Sequence, residues 1–251
     1  MTPPVLRPLS VGEVLDTGFG LYRANFFPLL IVAVATRLVP DVLDIYTQQI
    51  GGFLVHPVLS MIWLVVGVAL GAIGVAATTY IVSSAYLGGV MTPNEALRQA
   101  SHRMWRIIAL AFMTTVVVLA GFILFIVPGF ILMSGLALST TALILERLPS
   151  ASGAMSRSWA LTRGQRGKVF VTLLVTGLLF LVPLIVVGVL FGILSLTGVV
   201  STLIGQVVGA LLGTFIYPLL YVVVIVLYYD MRVRKEGFDL ELLAAATAPE
   251  S

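Results

Sequence analysis

Long apolar runs alternate along this chain with short polar stretches rich in arginine, and the alternation predicts its elements. Ser10 and Glu13 have the spacing of a capping box, in which each side chain bonds an otherwise unpaired backbone N–H. Val11, Val14, Leu15, Phe19 and Tyr22 then recur at helical spacing, with Glu13, Asp16, Thr17 and Arg23 opposite. That pattern predicts a short amphipathic helix lying in a membrane interface. Met1 to Leu9, with three prolines, reads as irregular. A first apolar run covers about 26–47 and a second about 58–87. Thr92 and Glu95 repeat the capping-box spacing. The helix they open places Ala96, Leu97, Ala100 and Met104 on one side and Arg98, Gln99, His102, Arg103 and Arg106 on the other. A third run covers about 107–127, Pro128-Gly129 is expected to turn the chain, and a fourth run covers about 130–145.

Ser150 opens the longest polar interruption in the second half. Ala151, Ala154, Met155, Trp159 and Thr162 line one face there, and Ser152, Ser156, Arg157 and Arg163 the other. A fifth run, about 169–194, contains Pro183 and is expected to kink at it. A sixth, about 202–229, closes on Arg232, Arg234 and Lys235, which suit a helix C-terminus, with Gly237 as its C-cap.

Ser10, Thr92 and Ser150 thus take one role three times, at spacings of 82 and 58 residues. The unit is an interfacial helix followed by an apolar hairpin, with pseudo-repeats at about 10–87, 92–145 and 150–229 and a short polar tail over 230–251. The expected fold is all-α: one polytopic membrane domain of six transmembrane helices in three hairpins, each preceded by a cytoplasmic interfacial amphipathic helix. Three like-oriented units differ from the inverted pair typical of transporters.

Composition agrees. The chain is 59% hydrophobic and 10% charged, with a mean hydropathy of +1.11. Soluble domains carry roughly a quarter charged residues. The runs reach the ~20 residues a spanning helix needs and do not alternate as barrel strands would. No cysteine is present, which excludes a disulfide framework, a thiol nucleophile and a cysteine metal site. Residues 1–25 lack the apolar stretch of a signal peptide. With six spans, thirteen of the fourteen basic residues fall on the side of the N-terminus, and only Arg37 does not. The positive-inside bias therefore places both termini in the cytoplasm, in a bacterial cytoplasmic membrane.

The opening LRPLSVGEVLDTGFGLYRANFFPLL and the closing LLYVVVIVLYYDMRVRKEGFDLELL resemble the two ends of the bacterial glycerophosphoryl diester phosphodiesterase membrane-domain family. The resemblance covers about residues 6–243. Members of that family are sometimes fused to a soluble phosphodiesterase barrel. The polar segments here fall far short of the ~250 residues of such a barrel, so the resemblance is to a standalone membrane domain and the family name does not imply hydrolysis by this chain.

Candidate chemistry is sparse. His56 and His102 belong to no metal or nucleophile spacing, and no P-loop or nucleophile elbow is present, so no catalytic, metal or cofactor site is expected. Candidate lipid-headgroup residues are Arg98, His102, Arg103, Arg106, Arg157, Arg163, Arg166 and Lys168. Arginine forks match phosphate, and each basic residue near an anionic leaflet contributes about 1 kcal/mol; the same residues also serve as topology signals. Tyr22, Trp105 and Trp159 fit an aromatic belt beside them. Nucleic acid is excluded as a partner, because the charge is divided among short membrane-hugging segments. Arg37, Asp41, Asp44 and Gln206 are the polar candidates within the spans, unless the first helix simply ends near Arg37. Gly67, Gly71, Gly188, Gly192, Gly205, Gly209 and Gly213 have the spacing of helix-packing glycines, within the chain or at a homo-oligomer seam. The expected function is a non-enzymatic membrane protein that binds or organises anionic phospholipid through its basic helices. The alternatives are a transporter or channel using Arg37, Asp41 and Asp44, then a lipid-headgroup enzyme. A soluble partner at the 146–168 loop is a further option.

Overall fold

A computed structural model describes residues 7–198 and 201–238. Among them the fold is all-α, with helices α1 (Val11–Ala24), α2 (Phe26–Gln49), α3 (Gly52–Val55), α4 (Pro57–Tyr86), α5 (Pro93–Ser101), α6 (Met104–Leu124), α7 (Ile126–Leu136), α8 (Ser139–Leu145), α9 (Ala151–Thr162), α10 (Arg166–Leu196) and α11 (Thr202–Glu236). Six segments are long and apolar enough to cross a membrane: α2, α4, α6, α7 with α8, α10 and α11. This is a multi-pass membrane protein. The C-terminal residues 239–251, most of the expected polar tail, lie outside the described residues.

The three amphipathic helices start where local chemistry places them. Glu13 N–H donates to Ser10 Oγ at 3.3 Å, and Ser10 N–H donates to Glu13 Oε2 at 2.7 Å. That backbone donor, with Arg7 beside it, holds the Glu13 carboxyl down to about 2. Thr92 and Glu95 form the same reciprocal pair. At α9 the cap is one-sided: Gly153 N–H donates to Ser150 Oγ at 3.1 Å, and glycine returns no side chain.

The helices are unequal in reach. At 1.5 Å per residue, α11 is about 52 Å long, well beyond a hydrocarbon core of about 30 Å. Its C-terminal half carries the core. Val222, Val223, Ile225, Val226, Leu227, Tyr228 and Met231 are all buried. Around them pack Ala76, Ile81 and Val82 of α4, Leu143 and Ile144 of α8, and residues from each amphipathic helix: Val14, Ala96, Ala100, Ala154 and Leu161. At the other end, apolar side chains face outward: Leu203, Ile204, Val207 and Leu211 of α11, and much of α4 and α10. The chain therefore has one close-packed basic end and one end of exposed, lipid-compatible helix.

This changes the reading of α1. The sequence pattern lays its apolar face into lipid, whereas the structure covers that face with protein. α1 runs antiparallel along α11. Leu9 N–H donates to Asp230 at 2.7 Å, Gly18 abuts Val223, and Tyr22 Oη donates to the Phe215 carbonyl at 3.0 Å.

Other details shift as well. The chain turns at extended Phe125 rather than at Pro128-Gly129; Pro128 sits in the first turn of α7, where no intrahelical N–H is needed. The fourth span is broken into α7 and α8 near Ala137-Leu138. Ser158 of α9 bridges the break, donating to the Gly135 carbonyl at 2.7 Å and accepting from Leu138 N–H at 3.2 Å. α11 continues to Glu236, so 230–236 is helix rather than tail, and Gly237 caps it with a left-handed φ of 62°.

Candidate functional site

The basic end separates its cations into two classes. The first class is neutralised inside the protein. Asp230, fully buried, accepts from Lys168, from Arg234 Nε at 3.1 Å and from the Leu9 N–H. Lys168 and Arg234 also donate to the Leu9 carbonyl, so one carboxylate and two cations clasp the segment before α1. Arg157 donates through Nε to both oxygens of Glu146, at 2.8 and 2.7 Å, and pairs with Glu236 through its other nitrogens. Glu146 also accepts from Tyr228 Oη at 2.8 Å, and Glu236 from Arg232 Nε at 3.0 Å. The Glu236 hydrogen bond is the largest influence raising the Arg157 pKa above its ordinary value. Arg157, expected on the polar face of α9, is instead half-buried and turned toward α8 and α11. Two of the headgroup candidates, Arg157 and Lys168, thus have their donors occupied by the fold.

The second class has no carboxylate within ion-pair distance among the described residues: Arg98, Arg103, Arg106, Arg163 and Arg166. Arg98, His102, Arg106 and Arg163 are exposed, while Arg103 is half-buried and reaches the Leu143 carbonyl at 3.5 Å. Arg163 and Arg166 flank the α9–α10 turn, whose Gly164 takes a left-handed φ of 79°. The Arg166 guanidinium stacks on Trp159 at 3.6 Å, and its Nε is buried without a partner. Trp159 in turn lies against Gly135, where a Cβ would come within 2.4 Å of the ring. Beside this stack opens a groove of about 570 Å³, walled by Leu136, Met155, Trp159 and Ala160 and rimmed by Ser156 and Arg163. It joins an apolar wall to Arg163, with Arg166 stacked on the Trp159 ring beside it, and no acid among the described residues lines it.

The second polar region surrounds Arg37 of α2. Arg37 Nη2 pairs with Asp41 at 3.3 Å, and the guanidinium lies 4.2 Å from the Tyr217 ring centroid. α2 continues for twelve residues beyond Arg37, to Gln49, so the charge lies within the helix and not at its end. Three cavities share Arg37. One of about 410 Å³ lies between α2 and α4 and includes Asp41, Asp44, Ser60 and Trp63. One of about 260 Å³ is largely apolar and reaches Ile107, Thr140 and Tyr221. One of about 270 Å³ lies toward α11. Gln206 bridges helices there, donating to Gln48 at 2.8 Å and accepting from Gln49 at 2.7 Å. Arg37 Nε and Trp63 Nε1 are buried N–H groups without a partner.

Of the candidate packing glycines, Gly67 approaches Pro40, Gly205 approaches Phe191, and Gly213 lies by Arg37 and Tyr217. Gly71, Gly188, Gly192 and Gly209 face open space. The tightest contacts are elsewhere, at Gly129 against Phe122, Gly135 against Trp159 and Gly121 against Leu132. Spacing of glycines alone does not reveal which side chain lies opposite.

Among the described residues no group of three His, Cys, Asp or Glu is placed to hold a metal ion. Comparison with known proteins finds no matching family model, no similar curated protein and no similar solved structure.

Proposed function

We propose that this protein is a non-enzymatic component of a bacterial cytoplasmic membrane that binds anionic phospholipid at its basic end, facing the cytoplasm. The observation that carries the reading is the Arg163–Trp159–Arg166 cluster beside the Leu136–Met155 groove. Among the described residues, carboxylates pair with Arg157, Lys168, Arg232 and Arg234 and none with Arg163 or Arg166. Two unopposed guanidinium groups take a phosphate, the tryptophan sits at headgroup depth, and the groove accepts the start of an acyl chain. Arg98, Arg103 and Arg106 extend the positive surface. The resemblance of the chain ends to the membrane-domain family of glycerophosphoryl diester phosphodiesterases points to the same class of ligand.

Native mass spectrometry of gently purified protein tests this. Wild type is expected to retain anionic lipid, and Arg163→Ala with Arg166→Ala to weaken it by about 2 kcal/mol, roughly thirtyfold. Identical lipid profiles for the two proteins would reduce these arginines to topology signals.

A further inference from the structure

The geometry points to a second lipid site, remote from the cytoplasmic groove and of different chemistry: the Arg37 chamber binds the headgroup of a phospholipid carrying a primary ammonium beside its phosphate. The chamber holds both signs of charge. Arg37 is a cation with an unpartnered Nε, and Trp63 adds an unpartnered Nε1–H, so two donors await an oxyanion. Asp41 and Asp44 line the same chamber, and among the described residues no other cation does. One arginine against two carboxylates leaves acceptor capacity for an ammonium, since an ionised carboxylate accepts several hydrogen bonds. Pro40 adds to this, because it withdraws the N–H that would otherwise bond the Thr36 carbonyl at the chamber wall.

A lipid fits better than a free zwitterion for two reasons. The chamber shares Thr36, Arg37, Val68 and Gly71 with the apolar cavity of about 260 Å³, which offers a chain somewhere to go. Its lip is apolar and open: Leu64 is 58% exposed, between Met61 and Val65 at 50% and 63%. A ligand entering there comes from the hydrocarbon phase.

Trp63 is one of three tryptophans and reports on the chamber once Trp105→Phe and Trp159→Phe are made. The full-length Trp63-only protein is placed in nanodiscs of phosphatidylglycerol. Brominated-chain phosphatidylethanolamine, phosphatidylcholine or phosphatidylglycerol is then added at low mole fraction. Phosphatidylethanolamine is expected to quench Trp63 at about a tenfold lower mole fraction than phosphatidylcholine, the worth of one charge-assisted hydrogen bond. Asp44→Asn is expected to erase that preference. Arg37→Ala also removes the Asp41 pair and the Tyr217 stack, so Asp44, which is exposed and bonded only to Gln48, is the variant that separates recognition from folding. Equal quenching by all three lipids would mean annular contact and overturn the site. Complete reversal by soluble phosphoethanolamine at matched concentration would show a headgroup-only ligand and overturn the lipid assignment. Arg163→Ala and Arg166→Ala leave the preference unchanged, so this site and the cytoplasmic groove fail independently.

Discussion

Asp230 is the residue on which the basic end closes. It is fully buried, and it faces Lys168, Arg234 and the Leu9 N–H at once. Asp230→Asn would leave two cations around a neutral amide, and it is expected to destabilise the protein by about 3–5 kcal/mol in denaturant titrations of the detergent-solubilised chain. Arg163→Ala, on an exposed side chain, is expected to stay within about 0.5 kcal/mol. Arg157 and Arg163 look alike in the sequence, six positions apart, yet only the first is a structural ion. Its partners lie 11 and 79 residues away, at Glu146 and Glu236. The caps at Ser10 and Thr92 were legible because both halves of each lie within four residues. The pairing of Arg157 was not, because no local pattern encodes it.

At the level of elements, six spans follow from the length of the apolar runs, and their boundaries differ from the pattern by only a few residues at most ends. The break in the fourth span escaped that reading because its cause sits in another helix: Ser158 satisfies the backbone at Gly135 and Leu138. The placement of α1 escaped it for a related reason. An amphipathic face encodes burial but not what covers it, and here α11 takes the place of lipid. A Cβ built on Gly18 lies 3.8 Å from the Val223 Cβ, the usual Cβ separation across a disulfide of about 3.8 Å. With no native cysteine to interfere, Gly18→Cys with Val223→Cys is expected to oxidise to a cross-link readable by gel shift under non-reducing conditions. Absence of the cross-link under oxidant would mean that α1 leaves α11 in the membrane.

The whole molecule is polarised. Among the described residues, one end concentrates the buried core, the ion network and most cations; the other exposes apolar helix around the Arg37 cavities. The proposed orientation, basic end toward the cytoplasm, rests on the positive-inside bias and is open to labelling. A membrane-impermeant thiol reagent on intact cells is expected to modify Ser201→Cys, and to reach Ser152→Cys on α9 only after permeabilisation. The reverse labelling would invert the molecule and move the arginine groove outside. The headgroup groove itself was half-legible: Arg163, Arg166 and Trp159 stood out as residue types, but the cavity beside Arg163 and Trp159 depends on Leu136 and on the break after α7. The Arg37 chamber was legible only as a charge in an apolar run, since its facing wall comes from α4.

The clasp between Leu9 and Asp230 joins residues 221 positions apart. A ribosome adding about 5–20 residues per second needs on the order of 10–40 s to make the second after the first. During that interval α1 has been synthesised and its partner has not. Its apolar face then needs a temporary host, and the bilayer surface, for which its pattern is suited, supplies one. α11, once made, would then lift α1 from lipid, making the synthesis of α11 the event that locks α1 in place.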